Sequence, residues 1–89
     1  MYKIEITERA VKEILKLRKS LPQAYKKYAS IIEELKQHPY TGTGHPHQLK
    51  HLENVWSRKL DKKNRIRYMI FDDTIIVVVM SVLGHYDDK

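Results

Sequence analysis

Between Tyr40 and Gln48 the chain gives up a helical hydrophobic period for an alternating one, and that change limits the folds open to it. Before it stand a short alternating segment, YKIEI at residues 2–6, and two amphipathic stretches. Thr7 is a natural N-cap for the first helix, with Ile6 and Val11 placed as a hydrophobic staple. Val11, Ile14, Leu15 and Arg18 form its predicted stripe, with Ala10 and Leu17 beside it. Ser20-Leu21-Pro22 ends this helix, and Pro22 suits the first turn of a second. The second helix runs to about Gln37 on a stripe of Ala24, Tyr28, Ile31, Ile32 and Leu35, and His38-Pro39 stops it. After the loop YTGTGHPHQ, the period of two predicts strands at Val55–Leu60, Arg65–Phe71 and Thr74–Val82. The last, nearly all β-branched, reads as a central strand covered on both faces. The expected architecture is α+β: residues 1–89 as a single domain, its two N-terminal helices packed on a twisted antiparallel sheet.

The totals exclude several function classes. There is no cysteine, so disulfides, thiolate metal sites and cysteine nucleophiles are out. The N-terminal stretch lacks the apolar core of a signal peptide, and the longest apolar run, Ile75 to Met80, is too short to cross a bilayer. A cytoplasmic protein with no membrane partner is expected. The net charge of +6 points to a polyanionic partner such as RNA, DNA, a ribosome or an acidic protein.

That charge is concentrated. Residues 41–68 carry seven Lys or Arg against two acids, with three of the five histidines and the one tryptophan. If Asp61-Lys62-Lys63-Asn64 closes a regular hairpin, Leu60 faces Arg65, Arg58 faces Arg67 and Trp56 faces Met69. Arg58, Arg65 and Arg67 then share one face, an arrangement that like-charge repulsion disfavours unless an anion sits on it. An arginine fork suits phosphate because it donates two parallel hydrogen bonds. His45, His47 and His51 have spacing that could ligate a metal, but no cysteine or neighbouring carboxylate pair supports it, so no metal and no other cofactor is expected. Acid–base chemistry is the better use of these rings.

The series GTGHPHQLKH, then VWSRKLDKKNRIRYMI, then GHY near the C-terminus resembles the YoeB (or Txe) branch of RelE-type bacterial toxins. The resemblance implies an RNase-like α+β fold and a ribosome-dependent, metal-independent mRNA endonuclease. It also implies possible homodimerisation and silencing by a cognate acidic antitoxin. Carried over by position, Lys50 corresponds to the loop lysine that holds the RNA backbone, and Arg58 to the arginine that contacts phosphate. Arg65 corresponds to the arginine that stabilises the transition state, His85 to the general acid, and Tyr86 to the tyrosine that positions the nucleotide. Three positions depart from the pattern: His47 stands where the family has its glutamate base, Asn64 replaces a histidine, and Asp87-Asp88-Lys89 extends the tail. The resulting expectation is a two-histidine reaction: His47 as base and His85 as acid, with Arg65 and Tyr86 catalytic and Lys50, Arg58 and Arg67 binding substrate. Two other classes fit the composition, a non-catalytic toxin that binds a protein target, as the ParE branch does, and a plain nucleic-acid-binding module.

Overall fold

A computed structural model of the chain describes residues 1–84. The elements are β1 (Lys3–Ile6), α1 (Glu8–Ser20), α2 (Pro22–Gln37), β2 (His47–Gln48), β3 (Val55–Lys59), β4 (Arg65–Phe71) and β5 (Ile76–Ser81). The strands form one sheet in the order β1-β5-β4-β3-β2. The α+β expectation holds, with one correction: the sheet is mixed rather than antiparallel. β3, β4 and β5 make the antiparallel meander, but β1 lies parallel to β5, with Ile4 beside Val77 and Ile6 beside Val79. The chain leaves β1 through both helices before it returns, so the first and last strands run the same way. The short β2, inside the predicted loop, adds a further strand by pairing His47 with Ser57.

The helices cover one side of the sheet. Leu17, Ile31, Leu35, Ile66, Tyr68 and Val77 are completely buried between the two layers. Each such side chain contributes about 1.5–3 kcal/mol by leaving water. Only one face of β5 joins this layer, so the expectation of a strand covered on both faces is corrected. Val77 and Val79 are buried, while Ile76, Val78 and Met80 are half-exposed on the open side.

The local signals around α1 worked unevenly. Thr7 caps the helix as expected, its hydroxyl accepting from Ala10 N at 3.1 Å. The predicted stripe is turned, however. Ala10 and Leu17 are buried and Ile14 is half-buried, while Val11 and Leu15 are 46% and 59% exposed. The reason is Glu13. Its Oε1 accepts from the backbone N–H of Val82 and Leu83 at 2.9 and 3.1 Å, which draws the 10/13/17 side of the helix against the end of β5. The second helix follows its predicted stripe, with Ala24, Tyr28, Ile31 and Leu35 buried.

Candidate active site

The site begins with the register of one hairpin. β3 pairs with β4 as Lys59 to Arg65, Arg58 to Ile66, Ser57 to Arg67 and Trp56 to Tyr68. This is one residue away from the pairing expected from the sequence, and a one-residue slip sends a side chain to the other face. Five residues, not four, make the connection. Asp61 holds it, accepting from Lys63 N at 2.8 Å and Asn64 N at 2.7 Å, while Leu60 N donates to Asn64 O at 3.0 Å. Leu60 can then turn inward, where it is 4% exposed.

The slip corrects the arginine face. Arg58 lies on the helix side of the sheet, fully buried, where it cannot reach a phosphate in solvent. One of its guanidinium nitrogens donates to Glu34 Oε1 at 2.7 Å and to Thr43 O at 3.3 Å. The other donates to Thr41 O at 2.8 Å and to His38 O at 3.3 Å, and Nε donates to the Tyr68 hydroxyl at 2.9 Å. A buried charge with this many acceptors serves to fold the loop after α2. Arg67 is on the expected face but only 3% exposed, donating to Ser81 Oγ and Leu83 O, each at 3.3 Å.

On the open side, a cleft of about 410 Å³ is lined by Gly44, His45, His47, Lys59 and Arg65. Two of the residues expected from the sequence, His47 and Arg65, therefore meet in one place. Lys59 was missed, and His45, one of the histidines suited to acid–base chemistry, had been given no role of its own. Lys59 takes the place on this face that the sequence reading gave to Arg58. Lys50 is exposed in the turn after β2 and is not among the residues lining the cleft. His85 and Tyr86 lie outside the described residues. Trp56 packs edge-on to Tyr40, ring centroids 5.3 Å apart, at the rim of the fold.

Each cleft residue is held by local chemistry. Gly44 has φ +88°, and its carbonyl accepts from Lys59 N at 2.6 Å. A Cβ at this position would stand 2.8 Å from Lys59 O. Gly44→Ala is expected to cost at least about 1–2 kcal/mol from the left-handed backbone alone, seen as a lower midpoint in urea unfolding. His45 is also left-handed, with φ 59°, and its carbonyl oxygen sits 3.0 Å from His47 Nδ1. A carbonyl can only accept, so Nδ1 carries the proton and the neutral ring keeps its lone pair on Nε2. One nitrogen of Arg65 donates to Asp61 O at 2.7 Å and Asn64 O at 3.1 Å, which fixes the side chain on the turn.

Asn64 then ties the turn to the end of the described chain. Its Oδ1 accepts from Gly84 N at 3.0 Å, and Arg65 N donates to Gly84 O, also at 3.0 Å. Its amide nitrogen donates to both Asp61 oxygens at 3.2 Å. Among the described residues no group of three or more His, Asp or Glu is arranged to hold a metal ion.

Three carboxyls in this framework are held below their ordinary range. Burial pushes each of them up. Hydrogen bonds outweigh it: Arg9, Val82 and Leu83 on Glu13, Thr43 and Arg58 on Glu34, and Lys63 and Asn64 on Asp61. A carboxyl with a folded pKa below its unfolded one stabilises the fold at higher pH. That contribution is lost as pH falls below the ordinary 4.5 of the glutamates and 3.8 of the aspartate. The thermal midpoint is therefore expected to drop between pH 6 and pH 3, by less in Glu34→Gln, as calorimetry would show.

The comparison with known proteins is decided by residues 6–86, which match the model of the YoeB-like toxin of bacterial type II toxin–antitoxin systems. The chain belongs to the YoeB-like toxins. Toxin YoeB of Escherichia coli O6:H1 is 36% identical over 53 residues, which is 58% of this chain and 63% of that protein, so the match spans just under two thirds of the relative. A YoeB/ParE toxin from Agrobacterium tumefaciens has the same fold, with a TM-score of 0.86 at 22% identity over 94% of this chain and 99% of that one. The toxin of a Staphylococcus aureus YoeB–YefM complex gives 0.79 at 20% identity over 97% and 99%. In this YoeB-like toxin no helix of the described residues is long and apolar enough to cross a membrane.

Proposed function

We propose that this chain is the toxin of a type II toxin–antitoxin pair and that it cuts mRNA on the bacterial ribosome by attack of a ribose 2′-OH on the adjacent phosphate. The observation that carries this reading is the cleft itself. His47, Lys59 and Arg65 line it together on the uncovered side of the sheet, and the contact of His47 Nδ1 with His45 O leaves Nε2 as the nitrogen able to act as a base. In this reading Nε2 takes the 2′-OH proton, the 2′-oxygen forms its bond to phosphorus, and the phosphorus–5′-oxygen bond breaks in line with it. The products are a 2′,3′-cyclic phosphate and a 5′-hydroxyl end. Arg65 and Lys59 oppose the charge that grows on the phosphorane oxygens, so the scheme needs no metal ion. His85 supplies the proton to the departing 5′-oxygen, and Tyr86 positions the nucleotide. Supporting that assignment, Gly84, the residue bonded to His85, is hydrogen-bonded to both Asn64 and Arg65. Of the residues expected to bind substrate, Lys50, Arg58 and Arg67, Lys50 alone is exposed and so is the one left to meet the RNA backbone.

The partner is an acidic antitoxin, as the charge of +6 favours, and the protein works in the cytoplasm. The Staphylococcus aureus relatives were solved with YefM and as a YoeB dimer, which supports both an antitoxin partner and self-association.

Cell-free bacterial translation of a defined mRNA, with cut sites mapped by primer extension, tests the reading. Translation-dependent cuts are expected, lost with His85→Ala and slowed by about 10²–10³-fold in Arg65→Ala, which keeps its thermal midpoint. A folded protein that makes no cuts would instead be a toxin that acts by binding its target.

A further inference from the structure

We propose that Glu34, on α2, is a positioning residue for His47, acting through Thr43 and Arg58. The proposal rests on the ribonuclease reading above. Glu34 does not line the cleft, yet its carboxylate organises the segment that does. Oε1 accepts from Arg58 at 2.7 Å and from Thr43 N at 2.8 Å, and Oε2 accepts from the Thr43 hydroxyl at 2.5 Å. Arg58 in turn gathers the carbonyls of His38, Pro39, Thr41 and Thr43. Gly42, at φ +129°, leaves the room for this: a Cβ there would run into the Glu34 carboxylate and stand 3.0 Å from the Arg58 guanidinium.

From Thr43 the order passes directly into the cleft. The next residue, Gly44, is pinned to Lys59 N, and His45 O holds His47 Nδ1. The carboxylate is thus the acidic partner of a buried cation and the fixed point for the N-terminal end of the cleft wall. Its side chain is 23% exposed, so solvent reaches it only in part. Glutamine replaces it only in shape. Its amide oxygen could still accept from Arg58 and Thr43 N, and its NH₂ could donate to the Thr43 hydroxyl once that hydroxyl turns round. It lacks the charge opposite the buried Arg58, which is what holds the pair together.

The test uses the whole chain with Glu34→Gln, Thr43→Val and Thr43→Ser. The first readout is the ¹⁵N–¹H correlation of the His47 ring nitrogens in the free protein, which reports tautomer and setting without reference to activity. The second is kcat and KM for mRNA cleavage on translating ribosomes. Glu34→Gln is expected to move the His47 ring signals and to lower kcat on the order of 10²-fold with KM little changed, the size that a displacement of about 1 Å produces. Thr43→Val should move both readouts the same way by less, and Thr43→Ser, which keeps the hydroxyl, should restore them. Unchanged ring signals and kcat in folded Glu34→Gln overturn the proposal. If that variant does not fold, the same result in Thr43→Val does so. A wild-type protein that cuts nothing sinks the ribonuclease reading instead, and the ring signals still decide the positioning role.

Discussion

Arg58→Ala is expected to lose about 3–5 kcal/mol of stability, the usual result of removing one partner of a buried ion pair. For a chain of this size that is a fall in thermal midpoint of roughly 15–25 °C. The size follows from what would be left behind. Glu34 loses its counter-ion, and the Tyr68 hydroxyl, buried with its residue at 0% exposure, loses the donor at 2.9 Å. The carbonyls of His38, Thr41 and Thr43 lose the group that folds them together. A cavity the size of a guanidinium and its methylenes would open beneath the loop. A phosphate ligand would behave differently, because its loss would abolish cleavage and leave the midpoint alone. Calorimetry on Arg58→Ala and Lys59→Ala separates the two roles: a large shift in the first and a small one in the second is the expected pair. Equal, small shifts would mean that Arg58 is not the keystone described above.

His47→Ala is expected to slow cleavage by about 10²–10⁴-fold, the range that a positioned general base supplies. The pH profile carries the sharper information. The base must be neutral to accept a proton, so the acid limb of the bell belongs to His47 and the alkaline limb to the group that donates to the leaving oxygen. His47→Glu should keep activity and move the acid limb down, toward the ordinary glutamate value of about 4.3. If His47→Ala leaves the rate unchanged and His47→Glu raises it strongly, the imidazole is not the base. The two-histidine scheme would then fail, while the cations of the cleft could still act on the phosphate.

Much of the fold was legible because the residues that signal it act locally. Thr7, Pro22 and His38-Pro39 set the helix ends by capping and backbone restriction, and those ends were read correctly. The stripe of α1 was misread because the deciding contact is distant: Glu13 meets the backbone of Val82 and Leu83, and no helical period contains that. The parallel pairing of β1 with β5 is equally non-local, since Ile4 and Val77 have no shared sequence signal.

In the candidate site, Arg65 on the open face was legible from the alternation of its strand, while His47 was singled out from the other histidines only by the family resemblance; both line the cleft. The error over Arg58 came from counting turn residues rather than matching faces. Trp56 and Leu60 before the turn and Ile66, Tyr68 and Ile70 after it all carry even numbers. Pairing apolar with apolar therefore joins even to even, which is the observed Arg58 to Ile66 register. Arg58 falls on the apolar side in that register, where a charge is not expected unless a partner such as Glu34 is already known. Asp61 and its hydrogen bonds to Lys63 and Asn64 are the local device that makes the longer connection.

The neighbouring cations Arg58 and Lys59 have opposite fates, one buried as a brace and one facing the cleft: strand alternation sends them to opposite faces, and the count of residues between Lys59 and Arg65 decides which one goes inside. Drift in this hairpin is consequently constrained in length more than in letter. Lys62 and Lys63, both exposed, can be exchanged freely, whereas a single insertion or deletion that shifted the pairing would carry Lys59 into the apolar layer and Arg58 out of it. Lineages of this toxin are therefore expected to vary here by replacement, with gaps in their alignments falling elsewhere.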